Sequence, residues 1–414
     1  MTATAAVGPV ETPYQWWLVR AANRAARMRG GAASRLPGVE ELVQAARRAT
    51  GSDDLGGDDF LEPLGVLLRA LDEEADLTPV GRWFARGALL GALVNRIRIA
   101  RALADDPAIA ARPVGPAIVV VGLPRSGTTL LQRLLSLDPD TRSLRQWEAQ
   151  QPAPPPQVDA DPGDPRIRAS RRATWLLDRL APDARVLHPT GARLPTECVG
   201  LFANSLTSLE FGVIHQVPRY VRWCLQADMA VRYAYYATQL QVLGRHGARA
   251  RWALKSPAHL FWTQHLLAAL PESVIVQVHR DPEEVIASYC GLVEVHTAIS
   301  ARAVDRAAIG PFWTDVWCEG VRRAEQVRRD APSARWLDVR YRDLVADPVG
   351  TVAGIYDHVG EPFPDALAAA VRRGMDDDPR PRRQVATRPS LARYGLDAHT
   401  VRERFEAASG VRRH

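Results

Sequence analysis

Apolar positions in the first hundred residues recur at helical spacing. Leucines repeat every three or four positions over residues 61–71, directly after an acidic turn at residues 53–59. This predicts a helix capped at Asp58 or Asp59. A second amphipathic stretch over residues 80–103 carries its arginines on one face. The acidic turn lacks the ligand spacing and terminal glutamate of a calcium-binding EF-hand loop, so we interpret it as capping and turn.

From Pro113 onward the pattern changes to short β-branched runs followed by helices. The first run, Ile118 to Val121, is apolar throughout, which is typical of a strand buried on both faces of a parallel sheet. Further strand-then-helix units have their strands at Trp252–Leu254, Val274–Val278 and Trp336–Val339. Repeated units of this kind predict an α/β fold with a mainly parallel sheet flanked by helices.

The two patterns divide the chain. We expect an N-terminal helical region over residues 1–112, acting as a cap or as the contact of a homodimer, and an α/β domain over residues 113–414. A proline-rich linker opens a helical, aromatic insertion of that domain at about residues 150–250. We expect the insertion to bind the reaction partner.

A glycine-containing loop joins the first strand to its helix. Residues 122–129 keep both glycines and the final threonine of the pattern G-x-x-x-x-G-K-[ST], but Thr128 stands where that pattern has lysine. Loop N–H groups and the positive end of the following helix bind an anion in this arrangement. The sequence therefore predicts a phosphate-type site built from Arg125, Ser126, Gly127, Thr128 and Thr129.

The other strand ends carry cations. Kinases and ATPases bind magnesium, usually through an acidic residue at a strand end. Here His279 and Arg280 follow one strand and Arg340 follows another. A P-loop nucleotide kinase is the alternative function, but it needs a lysine after Gly127 and a carboxylate for the metal. We therefore expect an anionic ligand bound without a metal ion.

Charge and composition narrow the class of protein further. The 53 basic residues barely exceed the 47 acidic ones, and a net charge of +6 is too diffuse to indicate nucleic acid. No apolar run reaches the ~18 residues of a membrane span. The four cysteines form no C-x-x-C pair, and no secretory signal is visible, so we expect a cytoplasmic protein.

Lys255 is the single lysine among those 53 basic residues. Arginine serves as well as lysine on a surface, so a position that keeps the compact ammonium is a candidate for chemistry. Lys255 closes a predicted strand, which places it at the same sheet edge as the glycine-containing loop. Chance survival is the other interpretation.

Four segments carry a family resemblance. Residues 122–129 resemble the 5′-phosphosulfate loop of sulfotransferases that use 3′-phosphoadenylyl sulfate (PAPS), and residues 278–288 resemble their 3′-phosphate motif. Segments 254–260 and 339–348 are also similar, so the likeness covers most of residues 115–365. The chain is closest in pattern to the bacterial branch related to tyrosylprotein sulfotransferases.

The resemblance implies a P-loop-like fold, PAPS as donor, PAP as product and no metal. It also implies that Arg280 and Ser288 bind the 3′-phosphate, with a structural salt bridge as the alternative for Arg280. Tyr341 would contact the adenine or the sugar, although core packing explains Tyr341 nearly as well. Lys255 and Arg125 would stabilise charge on the leaving phosphate oxygen.

A base must take the proton of the acceptor hydroxyl. By resemblance the first candidate is Glu148, just after the loop's helix, with a surface pair to Arg145 as the alternative. His259 is the rival, one turn beyond Lys255, in a suitable pKa range, although it could equally be a helix residue that bonds the backbone. Glu197 is the third candidate, although a capping or wall position explains it better.

The insertion holds many aromatic residues, which line an apolar pocket or form helix core: Trp175, Phe202, Phe211, Tyr220, Trp223, Tyr233, Tyr235 and Tyr236. The first interpretation favours a small hydrophobic alcohol or phenol as acceptor. Several arginines near the C-terminus either close over the nucleotide or form a solvated tail: Arg380, Arg382, Arg383, Arg388 and Arg393.

Overall fold

The computed structural model describes residues 10–11, 17–28, 35–156, 163–180, 190–246, 251–330, 335–376 and 389–410. Its centre is a five-stranded sheet in which all neighbours run parallel. In chain order its strands are β2 (Ala117–Gly122), β3 (Thr141–Ser143), β4 (Arg251–Lys255), β5 (Ser273–His279) and β7 (Arg335–Arg340). They lie in the order β3-β4-β2-β5-β7. A separate antiparallel pair joins β1 (Val10–Glu11) to β6 (Ala303–Val304).

The four strands predicted from the apolar runs are confirmed. The edge strand β3 was missed because it has only three residues, Thr-Arg-Ser, and no apolar signal. Strand β2 shows why the runs are continuous: every one of its residues is buried. Its side chains alternate between two cores, with Val119 and Val121 in the larger one and Ile118 and Val120 in the smaller one.

The register brings the strand ends to one edge. Gly122 lies opposite Val278, and His279 lies opposite Arg340. Lys255 is the last residue of the neighbouring strand β4. The loop glycine, the lysine and the strand-end cations therefore meet at the carboxyl edge of the sheet, where open α/β sheets bind ligands.

The N-terminal region is helical as predicted. Its helices are α1 (Trp17–Met28), α2 (Val39–Thr50), α3 (Leu61–Glu73) and α4 (Pro79–Asp105). Helix α4 begins at a Thr78 cap whose hydroxyl accepts from the Gly81 N–H. The buried faces of α2, α3 and α4 belong to the same large core as β2 and the insertion.

The predicted cap of α3 was wrong. The residue that caps α3 is Phe60, without a side-chain hydrogen bond. Asp59 instead forms ion pairs with Arg96 at 2.5 Å and Arg232 at 3.1 Å. The two arginines are largely buried, and a buried guanidinium needs a carboxylate partner, so tertiary pairing overrides the capping preference.

Helices pack on both faces of the sheet, since the side chains of β2 enter two separate cores. Between β2 and β4 the chain forms α5 (Thr128–Leu135), α6 (Gln146–Gln150), α7 (Pro165–Leu180), α8 (Val199–Ala203), α9 (Leu209–His215), α10 (Pro218–Gln226) and α11 (Ala230–Gly244), of which the last five lie in the insertion. The C-terminal half adds α12 (Thr263–Ala269), α13 (Pro282–Ser300), α14 (Arg306–Asp330), α15 (Tyr341–Ala346), α16 (Pro348–Val359), α17 (Asp365–Asp376) and α18 (Ala398–Ser409). Among these described helices, none combines the length and the apolar character needed to cross a bilayer.

Candidate active site

The glycine-containing loop lies between β2 and α5, as predicted. Its backbone enters the left-handed region at Gly122 (φ 140°), Arg125 (φ 67°) and Gly127 (φ 102°). A Cβ on Gly122 would lie 2.4 Å from the Val278 carbonyl oxygen, so only glycine fits between these strands. A loop backbone with left-handed residues at such positions can direct successive N–H groups toward an anion bound at the start of the following helix.

Tyr341 closes one side of this loop. A Cβ on Gly127 would lie 2.4 Å from Cδ2 of the Tyr341 ring, so the ring packs directly on the loop backbone. The Arg280 guanidinium lies over the same Tyr341 ring, 4.4 Å from its centroid. Tyr341 is therefore wedged between the loop and a cation, and its ring orientation is fixed by both.

Arg125, Arg280 and Ser288 converge although they are far apart in sequence. Arg125 Nε donates to Ser288 Oγ at 3.1 Å, and Arg280 Nη1 donates to the Arg125 carbonyl oxygen at 3.1 Å. Arg280 also pairs with Glu284, one helical turn away, at 2.5 Å. The structure thus brings the two predicted phosphate motifs into a single site with two guanidinium groups and a hydroxyl.

Lys255 lies beside the loop. Its Nζ donates to Thr129 Oγ1 at 3.2 Å and to Glu197 Oε1 at 2.5 Å, and its side chain is 1% exposed. Burying an ammonium requires such a partner. The carboxylate that forms the ion pair with Lys255 is therefore Glu197, the third candidate for the base.

The backbone around Glu197 is tied to the same strand end. Cys198 N donates to the Lys255 carbonyl at 2.9 Å, and Thr196 N donates to the Leu144 carbonyl at 2.8 Å. Gln132, on α5, donates through Nε2 to the Thr196 carbonyl at 3.0 Å. These bonds hold Glu197 between the glycine loop's helix and β4.

Glu148 has a different setting. It is buried at the start of α6, where Oε1 accepts from Arg142 Nη2 at 2.8 Å and Oε2 accepts from the Arg145 N–H at 2.9 Å. Both carboxylate oxygens are engaged in an ion pair and a capping box. Within the described residues no hydrogen bond or ion pair joins Glu148 to Lys255, and the first base candidate ties α6 to the edge strand β3.

His259 lies in the core beyond Lys255. Its Nδ1 is 2.8 Å from the Tyr233 hydroxyl, whereas its buried Nε2 has no hydrogen-bond partner among the described residues. Burial lowers the pKa of His259 to about 3, against the opposing effect of the Glu197 charge. The imidazole is therefore neutral near pH 7, and its pKa lies below the range that the sequence suggested.

The hydroxyl of Ser126 is, like His259 Nε2, a buried polar group without a hydrogen-bond partner in the described residues. The residue is fully buried in the glycine loop, and its Oγ has no partner in the described ranges of the chain. A buried hydroxyl without a hydrogen bond costs about 1–3 kcal/mol. A ligand oxygen bound in the loop would supply the missing partner.

Glu210 was not predicted from the sequence. It lies in the first turn of α9, where an acidic residue is ordinary, and this masked its signal. Burial, followed by the charge of Glu197, raises the pKa of Glu210 to about 7. Only the folded neighbourhood shows this perturbation, because the two glutamates are 13 positions apart in the chain.

Most of the predicted aromatic residues are core residues. Phe202, Phe211, Tyr220, Tyr233 and Tyr236 are buried in the large hydrophobic cluster. Trp175 is 58% exposed, and Trp223 and Tyr235 are partly buried. Phe202, Tyr233 and Tyr236 pack around the His259 ring, with centroids 5.7–5.9 Å away.

Arg393 pairs with Glu294 of α13 at 2.8 Å and remains partly exposed to solvent. The other predicted C-terminal arginines, Arg380, Arg382, Arg383 and Arg388, lie outside the described residues.

Known proteins share this architecture. A model of the sulfotransferase family matches residues 116–365. The crystal structure of sulfotransferase STF1 from Mycobacterium tuberculosis H37Rv superposes with a TM-score of 0.79 at 36% identity, covering 90% of this chain and 99% of that one. Sulfotransferase STF9 from Mycobacterium avium gives a TM-score of 0.81 at 25% identity, covering 90% and 96%.

A curated relative matches a shorter segment. It is omega-hydroxy-beta-dihydromenaquinone-9 sulfotransferase Stf3 of Mycobacterium bovis and Mycobacterium tuberculosis, 26% identical over 116 residues. The match spans 26% of this chain and 28% of the length of that relative.

Proposed function

The chain belongs to the sulfotransferase family, and from that premise we propose that it transfers the sulfuryl group of PAPS to a hydroxyl of a small hydrophobic acceptor, without a metal ion. The observation that carries the proposal is the convergence of Arg125, Arg280, Ser288 and Lys255 at one sheet edge. This donor set suits a ligand with two separate anionic groups.

The residues present fit the 5′ end of PAPS. The loop supplies inward N–H groups, the start of α5 and the buried Ser126 hydroxyl, whose missing partner a phosphate oxygen provides. When bound, PAPS supplies an activated sulfuryl group on its 5′-phosphate. Arg125 and the loop amides hold that phosphate in place.

The second anionic group of PAPS fits beside α13. Arg280 and Ser288 lie within contact of Arg125, and together they offer guanidinium and hydroxyl donors to a 3′-phosphate. Tyr341, held against Gly127 and beneath Arg280, offers its ring to the nucleoside between the two phosphates.

Lys255 faces the leaving oxygen in this arrangement. As the bond between sulfur and the bridging oxygen breaks, negative charge develops on the 5′-phosphate, and the Lys255 ammonium stabilises it. Thr129 Oγ1 holds the ammonium at the start of α5. Cations at this edge neutralise the donor's anionic groups and repel a divalent cation, which fits metal-independent transfer.

A carboxylate base on the Lys255 side of the site takes the proton from the acceptor hydroxyl. Glu197 is the predicted carboxylate that meets the lysine, whereas both oxygens of Glu148 are already engaged. His259 is nearby, but its low pKa makes it a weak base at neutral pH. We therefore assign Glu148 a positioning role and His259 a place in the acceptor wall.

The acceptor class rests on the rings around His259. Phe202, Tyr233 and Tyr236 are buried core rings packed around His259, whose Nε2 has no hydrogen-bond partner among the described residues. An acceptor hydroxyl that meets this nitrogen would lie against an apolar aromatic cluster, which suits a hydrophobic alcohol or phenol. The relative named for a hydroxylated dihydromenaquinone points the same way, toward a lipophilic acceptor.

The test is a transfer assay. The purified chain is incubated with PAPS and a panel of aryl and isoprenoid alcohols in EDTA, and products are identified by mass spectrometry. We expect a sulfated product and PAP from at least one lipophilic alcohol. Lys255→Ala should bind PAP but form product about 10²–10³-fold more slowly. Phosphate transfer from ATP with magnesium, in place of sulfate transfer from PAPS, would establish the kinase alternative.

A further inference from the structure

The segment between Glu197 and Glu210 folds back beside the end of β4. Ser208 Oγ donates to the Val199 carbonyl at 3.0 Å and accepts from the Glu210 N–H at 3.3 Å. Cys198 N, next to Glu197, donates to the Lys255 carbonyl at 2.9 Å. This bonding brings the first turn of α9 close to the lysine and its carboxylate partner.

The two carboxylates differ in what they contact. Glu197 accepts a 2.5 Å bond from the Lys255 ammonium. Glu210 is partly buried, and the described part of the chain gives its carboxylate neither a hydrogen bond nor an ion pair. A carboxylate held by an ammonium is a weaker base than one that has no cation beside it.

An unsatisfied nitrogen lies in the same neighbourhood. His259 is fully buried, its Nε2 has no partner within the described ranges, and the Glu197 charge acts on its ring. Leaving such a polar atom unpaired costs about 1–3 kcal/mol, which a polar group on a bound molecule recovers. The carboxylate of Glu210 and the nitrogen of His259, both unpaired among the described residues, therefore suit a hydroxyl-bearing ligand beside Glu197.

We propose that Glu210 is the general base that takes the proton of the acceptor hydroxyl. This rests on the proposed function. The proton passes to a Glu210 carboxylate oxygen, and the freed electron pair of the acceptor oxygen forms the new bond to sulfur. The bond from sulfur to the bridging oxygen breaks, and its electron pair stays on the 5′-phosphate of PAP, beside Lys255.

The electrostatics of Glu210 suit this role. Burial and then the Glu197 charge raise its pKa to about 7, near the optimum for a base at neutral pH. Burial and the Glu197 charge are the two causes of this shift. The other titratable side chains on the helices packed against α9 are Arg219, Tyr220, Arg222 and Cys224 of α10, and Glu283, Glu284, Tyr289, Cys290, Glu294 and His296 of α13. Because the base must be ionised, kcat/KM should rise with pH through about 7 and then level off.

The first test needs no acceptor. The chain is labelled with 13C at glutamate Cδ, and its carboxyl resonances are followed from acidic to alkaline pH. We expect one resonance that titrates near pH 7 and is missing in Glu210→Gln. In Glu197→Gln its midpoint should fall, because a neighbouring negative charge is gone. A Glu210 resonance with an ordinary acidic midpoint would overturn the proposal.

The second test separates this proposal from the proposed function. Transfer from PAPS to 2-naphthol and to geranylgeraniol is compared in wild type, Glu210→Gln, Glu210→Asp and the exposed control Glu272→Gln. We expect Glu210→Gln to lose about 10²–10⁴-fold in kcat with unchanged PAP affinity, and Glu210→Asp to recover part of it. Full activity of Glu210→Gln would exclude Glu210 as the base but would leave the proposed sulfotransferase activity unaffected. A wild type that neither binds PAP nor transfers sulfate overturns both.

Discussion

Replacing Lys255 by alanine removes the buried cation at the strand end. If that ammonium stabilises the leaving oxygen, its loss should lower kcat about 10²–10³-fold, the usual cost of one such contact. PAP affinity should change little, because the phosphates are bound mainly by the loop and the arginines. The measurement is kcat by PAP release, with PAP binding by calorimetry. Equal losses in affinity and kcat would assign Lys255 to donor binding alone.

The Ser126 hydroxyl offers a cleaner test of the loop. Its Oγ has no partner in the described ranges, so Ser126→Ala removes no hydrogen bond from the ligand-free protein. We expect an unchanged or slightly higher free energy of unfolding. PAP affinity should fall by about 1.5–3 kcal/mol, the value of a hydrogen bond to a charged group. Urea unfolding and calorimetric titration measure the two quantities. Unchanged PAP affinity would mean that the hydroxyl does not face the phosphate.

At the residue scale, the sequence predicted which cations meet at the sheet edge better than it predicted the partners of the carboxylates. That Arg280 and Ser288 lie near the glycine loop was predictable, because a strand end and the following helix fix where both residues lie. The ion pair of Glu148 was not predictable, because its partner, Arg142, lies on an edge strand that the apolar pattern does not reveal. Glu210 was missed because its burial and the nearby Glu197 charge arise only on folding.

Helix α13 is held to the C-terminal segment through one buried carboxylate. Glu294 accepts hydrogen bonds from Arg306 at 2.6 Å, Arg393 at 2.8 Å and Tyr394 at 2.9 Å. Burial alone would raise the pKa of Glu294, but the bonds from Arg393, Arg306 and Tyr394 outweigh it and lower the pKa to about 2. The network joins the helix that carries Ser288 to residues 389–410.

Because the pKa of Glu294 is lower in the folded state, its contribution to stability has a definite pH range. The contribution is complete above the unfolded value near 4.5 and declines as pH falls toward 2. Glu294→Gln should lower the free energy of unfolding at pH 7 and flatten its dependence on pH below 4.5. Urea unfolding across that range measures it, with Glu272→Gln as the exposed control. Parallel pH curves for wild type and Glu294→Gln would contradict this account.

At the element scale, long elements were predictable and short ones were not. Strands β2, β4 and β5 follow from apolar runs, since burial on both faces leaves few polar positions in the pattern. The edge strand β7 was predicted as well, although Asp338 within it is exposed. The cap at Asp58 or Asp59 failed because Asp59 is recruited by Arg96 and Arg232 from distant helices. The capping preference of a residue type indicates where a helix can begin. An ion pair with a distant residue can nevertheless occupy a side chain that would otherwise cap the helix.

For the whole molecule, the topology explains how distant motifs form one site. Parallel strands share their carboxyl edge, so the glycine loop after β2, Lys255 after β4 and Arg280 after β5 are neighbours in space. That much follows from the predicted βα units. Which helix of the insertion meets the edge does not follow from periodicity, because the helices of the insertion are all amphipathic or buried and packing alone selects their order.

The central claim is that this edge binds a doubly phosphorylated adenosine through amides and guanidinium groups without a divalent ion. Calorimetric titration of the wild-type chain with PAP in EDTA tests it most directly, with adenosine 5′-phosphate and magnesium ATP as matched ligands. We predict one PAP per chain, an affinity unchanged by magnesium, and weaker binding when the 3′-phosphate is missing. No PAP binding in EDTA, or tighter binding of magnesium ATP, would contradict the account.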